Sequence, residues 1–216
     1  DYVILERDGL RVAVFGLLGQ DAHESAPMSG MVFEPIVDAA ERTVSYIEEH
    51  EDADFIICLS HSGTRDGKGE DWELAKKVDG IDVIISGHTH TTLTEPIRVG
   101  DTLIVSAGEY TQNLGVLTVS KQTDADGNVV GGLLEDYEYS LLPVDESVAE
   151  DSSITQLANR FQAAVEQEYL SQFGYTFGQV LAQLSFDFTP VSQFAAAQED
   201  DSLGSLIADS YRYAVE

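Results

Sequence analysis

Three features of the sequence predict an α/β fold. Apolar runs fit for strands alternate with helical segments through residues 1–86. Two of those runs, "DFIICLS" and "IDVIIS", are continuous rather than alternating, as parallel strands buried on both faces require. Both give way abruptly to glycine and histidine, in "CLSHSG" and "ISGHTH". Open α/β sheets bind their ligands just beyond the carboxyl ends of such strands.

The elements follow in order. "YVILERDGLRVAVFGLLG" reads as two strands around a turn at Asp8-Gly9, since Gly after Asp between β-branched runs favours a hairpin. A loop rich in Gly, Ser and Pro runs from Gly19 to about Phe33. Pro35 suits a first helical position, and Val37, Ala40, Val44 and Ile47 recur at spacings of three and four, which predicts an amphipathic helix over 35–49. A strand over 54–60 follows, then a helix over "EDWELAKKV" with Gly80 as its stop, then the strand "IDVIIS". Beyond the histidines, "TLIVSA", "LGVLTVS" and "GLLEDYEYSLLPV" are short runs between turns, and are expected to be antiparallel. "TDADGN" reads as a hairpin turn. With Gly127 in sixth place, a calcium loop would need acids at Gln122 and Leu133. Asp151 or a neighbouring Ser caps a helix over about 152–170 whose apolar face is Ile154, Leu157, Ala158, Phe161 and Val165. "TFGQVLAQLSFDF" is expected to be strand-like, and "DDSLGSLIADSYRYAVE" a capped helix on which Tyr211 and Tyr213 serve packing.

Composition narrows the function. The chain has 216 residues, 43% of them hydrophobic, enough for a real core. With 39 acidic against 11 basic residues, its formal net charge is −28. Such a surface repels phosphate backbones and anionic head groups, so no nucleic-acid partner is expected. The acidity fits a protein kept soluble outside the cell or in salt. No run approaches the length of a membrane span, and "DYVILERDG" lacks the basic start and apolar middle of a signal peptide. A chain opening directly on a strand is expected to be part of a longer one. The single cysteine, Cys58, lies in an apolar run and reads as a buried small hydrophobe.

Candidate chemistry sits at the strand ends. If the two continuous strands are neighbours, His61, His88 and His90 converge on one rim, and neutral imidazole is a common ligand for zinc, manganese and iron. Gly63 and Gly87 would let the backbone turn sharply and approach a ligand closely. His23 and His50 lack such a setting.

"IICLSHSG", "GIDVIISGHTH" and "SAGEYTQNLGVLTV" together resemble the calcineurin-like metallophosphoesterases, and in particular their 5'-nucleotidase and 2',3'-cyclic phosphodiesterase family. "SLGSLIADSYRYAV" resembles the opening of the separate C-terminal domain of those nucleotidases. The resemblance implies a partial α/β/β/α sandwich with mixed sheets over 1–145, a linker helix over 146–172 and the start of a second, α+β domain over 173–216. It further implies a two-metal centre hydrolysing nucleotide phosphomonoesters or cyclic phosphodiesters, and an extracellular, periplasmic or envelope location. His61 and His88 would ligate one ion and His90 the other, while Gly108, Glu109 and Asn113 would lie in or beside the substrate cleft.

The family's Asp-x-His motif, its bridging Asp and its Asn-His pair have no counterpart before His61. Asp21-Ala22-His23 matches by letters only, in the loop after "FGLLG", and is set aside. On this reading the chain binds at most one ion weakly, does not hydrolyse substrate alone, and self-associates through exposed strand edges. The rival reading is a non-catalytic acidic module on the same scaffold, binding a cation or a partner protein.

Overall fold

The computed structural model describes residues 1–7, 9–65, 67–120, 132, 134–190 and 201–215. Contacts divide the chain into two units, Asp1–Ala149 and Glu150–Glu216.

The first unit is built on a six-stranded mixed sheet in the order β1-β2-β3-β4-β6-β5. β1 (Tyr2–Arg7) and β2 (Leu10–Leu18) form the expected hairpin, with Gly9 at φ +76° in the turn. β2 runs parallel to β3 (Phe55–His61), which runs parallel to β4 (Val83–Ser86). β6 (Thr102–Val105) is also parallel to β4, contrary to the antiparallel expectation for "TLIVSA". Its antiparallel partner is a short strand missing from the sequence reading, β5 (Ile97–Val99). The reason is visible in the burial: all four β6 residues are buried, as a central parallel strand demands. β7 (Asn113–Val119) and β8 (Tyr137–Pro143) form a separate antiparallel pair, as expected. The "TDADGN" turn and the calcium-loop positions Gln122 and Leu133 lie outside the described residues.

Strand periodicity splits the core in two. Ala13, Phe15, Ile56, Cys58, Ile84 and Ile104 face α2 (Ile36–His50) and α3 (Glu70–Lys77), meeting Ala40, Val44, Ile47 and Leu74. Phe55, Val83, Leu103 and Val105 face the other way, towards Leu117, Val119 and Tyr139. Pro35 precedes α2, whose buried stripe of Ile36, Ala40, Val44 and Ile47 is the predicted one shifted by a residue at its start. α3 ends at Lys77, with Gly80 at φ +86° in the turn that follows. The loop after β2 contains an unpredicted helical turn, α1 (Gln20–Glu24), too short to leave a periodic signal.

In the second unit, α4 (Ser152–Glu168) starts as expected: Asp151 Oδ1 accepts from the Ser153 and Ile154 amides. A 3-10 turn, Leu170–Phe173, ends at Gly174 in the left-handed conformation. The described part of "TFGQVLAQLSFDF" forms turns and bends, not a strand, and its side chains are mostly exposed. α5 (Ser202–Val215) is capped by Asp201, whose Oδ1 accepts from the Leu203 and Gly204 amides. Neither helix buries a residue, and Tyr211 and Tyr213 are exposed rather than packed. Among the described residues, no helix is long and apolar enough to cross a membrane.

Candidate metal centre

β3 and β4 are neighbours in register, with Ser60 opposite Ser86, so both chains leave the sheet on one edge. His61 is the last residue of β3, and Gly87 N donates to Ser60 O (2.8 Å), which ties the start of "GHTH" to that strand. The His61 and His88 rings stand 5.0 Å apart, centroid to centroid, tilted by 58°. A Cβ on Gly87 would come within 3.3 Å of His61 Nδ1, so glycine there keeps space beside an imidazole.

The path through "GHTH" differs from the sharp turn expected at Gly87. His88 and His90 are themselves left-handed, at φ +75° and +56°, whereas Gly87 is not. Tyr110 (φ +50°) and Thr111 (φ +56°) complete the set of non-glycine residues with such backbone among those described. All four lie on this rim, since Glu109 and Tyr110 meet His90. Left-handed backbone costs about 1–3 kcal/mol per non-glycine residue, and such strain clusters at functional sites.

Carboxylates reach two of the imidazoles. His88 Nε2–H donates to Asp21 Oδ2 (2.9 Å), and Glu109 Oε2 lies 2.6 Å from His90 Nδ1. An ionised carboxylate only accepts, so the Asp21 bond fixes the His88 tautomer. A lone pair is then left at His88 Nδ1, the usual device for presenting imidazole to a metal.

Asp21 was the residue that sequence reasoning set aside. The signal was its place after β2: because β2 and β3 are parallel, the segment following β2 emerges on the same edge as His61. Gly19 N donates to His61 O (3.1 Å), and Glu70, in the first turn of α3, accepts from the Gln20 and Asp21 amides (2.9 and 3.1 Å). This carboxylate supplies the cap that α1 lacks. His23 points elsewhere, stacking on Phe33 at 5.0 Å, so Asp21-Ala22-His23 does not act as a motif. His50 stacks on Tyr46.

Other candidates have structural positions of their own. Gly63 is left-handed (φ +91°), and a Cβ there would strike Thr89 Cγ2 at 2.3 Å. Gly108 is left-handed (φ +89°) against Thr92, and Asn113 Nδ2 donates to Ala107 O (3.2 Å). Asn113 also lines a largely apolar cavity of about 520 Å³ between the sheet and β7. Behind the rim lies Asp71, fully buried. Burial pushes its carboxyl above the usual range, against the pull of the Ser60 and Ser86 hydroxyls and the Gly63 amide. The Ser86 contact is loose: its Oγ is buried with no partner at hydrogen-bond distance.

Among the described residues, no three His, Cys, Asp or Glu side chains are grouped so as to hold an ion. The donor chemistry fits a metal, and the gathered set fits half of a centre, two adjacent imidazoles.

No family model matches the chain. It is 38% identical over 179 residues to the trifunctional nucleotide phosphoesterase protein YfkN of Bacillus subtilis, a match covering 81% of this chain and 12% of that protein. Its fold matches a 5'-nucleotidase precursor from Thermus thermophilus with a TM-score of 0.59 and 26% identity, over 80% of this chain and 35% of the other. It also matches the sulfate thiohydrolase SoxB of the same genus, with a TM-score of 0.62 and 25% identity, over 78% and 29%. The chain thus spans well under half the length of each. By sequence and by fold its relatives are 5'-nucleotidases and nucleotide phosphoesterases, consistent with the 5'-nucleotidase family.

Proposed function

We propose that this chain carries the histidine half of a divalent-metal centre that hydrolyses phosphoesters of nucleotides. The observation that supports this most is the meeting of His61 and His88 at the ends of adjacent parallel strands, with Asp21 fixing the His88 tautomer and His90 beside Glu109 in the same segment. His61 and His88 take one ion, zinc, manganese, iron or a similar metal, and His90 contributes to a second. A bound ion would supply Lewis acidity toward a phosphoryl oxygen.

The chain's own groups bind and orient. Asp21 keeps the imidazole proton at His88 Nε2, Glu109 places a carboxylate against His90, and both His88 and His90 are left-handed. Gly63, Gly87 and Gly108 keep side-chain bulk off the rim, beside which Asn113 and Glu109 edge the substrate cleft. With two imidazoles and, among the described residues, no cluster of three ligands, the chain alone holds at most one ion weakly and turns over little substrate. SoxB shares the scaffold, which leaves the substrate to be read from the site rather than the fold. Half-exposed Leu59 and Ile85, on the sheet face away from α2 and α3, favour self-association of the chain. The acidic surface fits an extracellular or envelope location.

Calorimetric titration with a nucleoside 5'-monophosphate, with and without Mn²⁺, tests the reading. Binding is expected only with Mn²⁺, and is expected to vanish in His61→Ala. Equal binding without the metal would overturn the proposal, and rapid phosphate release by the chain alone would overturn the half-centre.

A further inference from the structure

We propose that Asp71 is a positioning residue for the histidine rim, holding the β3–α3 turn in the shape that seats His61 against His88 and anchors the segment carrying His90. The inference rests on the metal-centre reading above and adds to it a residue that touches no histidine.

Asp71 sits at the start of α3 with no exposed surface. Its Oδ1 accepts from Ser60 Oγ (2.5 Å), and Ser62 Oγ lies 2.8 Å from the same hydroxyl. Its Oδ2 accepts from Gly63 N (3.0 Å), and its own amide donates to Gly63 O (3.1 Å). One carboxylate therefore grips the chain on both sides of His61. A buried carboxylate is costly wherever an apolar residue could pack instead, so its presence asks for a role.

The grip passes on to the other two histidines. Gly63 lies against Thr89, the residue between His88 and His90. Thr89 Oγ1 donates to Thr64 O (2.8 Å) and accepts from Thr64 N (3.1 Å), while Thr91 Oγ1 donates to the same carbonyl. Thr64, completely buried, is thus a clasp that pins the strained "GHTH" segment to the turn that Asp71 holds. Ser60 O closes the circuit by accepting from Gly87 N. Removing the carboxylate frees the turn, and the left-handed His88 and His90 have little else to oppose their strain.

Asp71→Asn keeps the shape and replaces one acceptor oxygen with a donor. Two readouts apply to the 216-residue chain. The first needs no metal: the nuclear Overhauser effect between the His61 and His88 rings, expected to weaken or vanish. The second is Co²⁺ affinity followed by visible absorption, expected to fall about tenfold or more, as for other residues that orient ligands from behind. If Asp71→Asn fails to fold, Thr89→Val breaks the clasp at a half-buried site and should reproduce both losses, while Thr89→Ser should restore them. Wild-type ring contact and affinity in Asp71→Asn, or in Thr89→Val if only that variant folds, would overturn the proposal. A wild-type chain that binds no Co²⁺ would sink the metal reading instead, and the ring contact would then decide the role of Asp71 by itself.

Discussion

The two units of the chain reach order by opposite routes. In Asp1–Ala149, strands pair across large sequence gaps and the site is closed by contacts such as Asp21 to His88 and Thr64 to Thr89. In Glu150–Glu216, α4 and α5 carry their signals within one turn, through the Asp151 and Asp201 caps, and bury nothing. A helix can therefore be written locally, whereas a site has to be assembled from afar.

The largest test of that contrast is packing. Leu74→Ala, at a position with 0% exposure, should cost about 2–5 kcal/mol in urea unfolding followed in the first unit. Phe161→Ala, 66% exposed on α4, should stay within about 0.5 kcal/mol. A large loss from Phe161→Ala would break the comparison by showing that α4 relies on a packed face.

The response to pH should be smaller, and of opposite sign at Asp71 and at Asp151. Burial first, and the neighbouring Glu70 charge last, raise the Asp71 pKa, so between the usual carboxylate value and the raised one the folded state binds more protons than the unfolded. Stability from this group falls as pH rises through that window, and Asp71→Asn should flatten the decline. Asp82, raised by burial, contributes with the same sign and stays in the variant. Asp151 is held low, chiefly by the Ser153 hydroxyl and then by the backbone amides it caps. Its contribution is present above the ordinary carboxylate value and is lost as pH falls through the lowered one. Thermal melts across acid pH of the wild type, Asp71→Asn and Asp151→Ala would show the two substitutions changing the pH dependence in opposite directions. Changes in the same direction would contradict the assignment.

The most local effect should come from Asp151→Ala, a fraction of that of Leu74→Ala. It is expected to speed hydrogen exchange at the Ser153 and Ile154 amides, with the first unit unaffected. Slowed exchange in β3 would show the units to be coupled.

The same contrast explains what the sequence disclosed. The continuous runs of β3 and β4, the stripe on α2 and the cap of α4 were legible because each signal repeats within a few residues. β6 was misread as antiparallel because its four residues carry no mark of which neighbour they join. "TFGQVLAQLSFDF" has strand-like composition, yet among the described residues no strand pairs with it. At the site, the histidines stood out by their place after strands. Asp21 did not, because its relevance comes from β2 and β3 being parallel neighbours, a fact about topology. The left-handed turns at His88 and His90 were hidden too, since glycine beside them was the natural candidate for the bend.

The central claim is that His61 and His88 together hold a divalent ion. Equilibrium dialysis against Mn²⁺ and Zn²⁺, with metal counted per chain by elemental analysis, tests it most directly. One ion per wild-type chain and none in His88→Ala is the expected result. No ion in the wild type, or one that survives in His88→Ala, would contradict it.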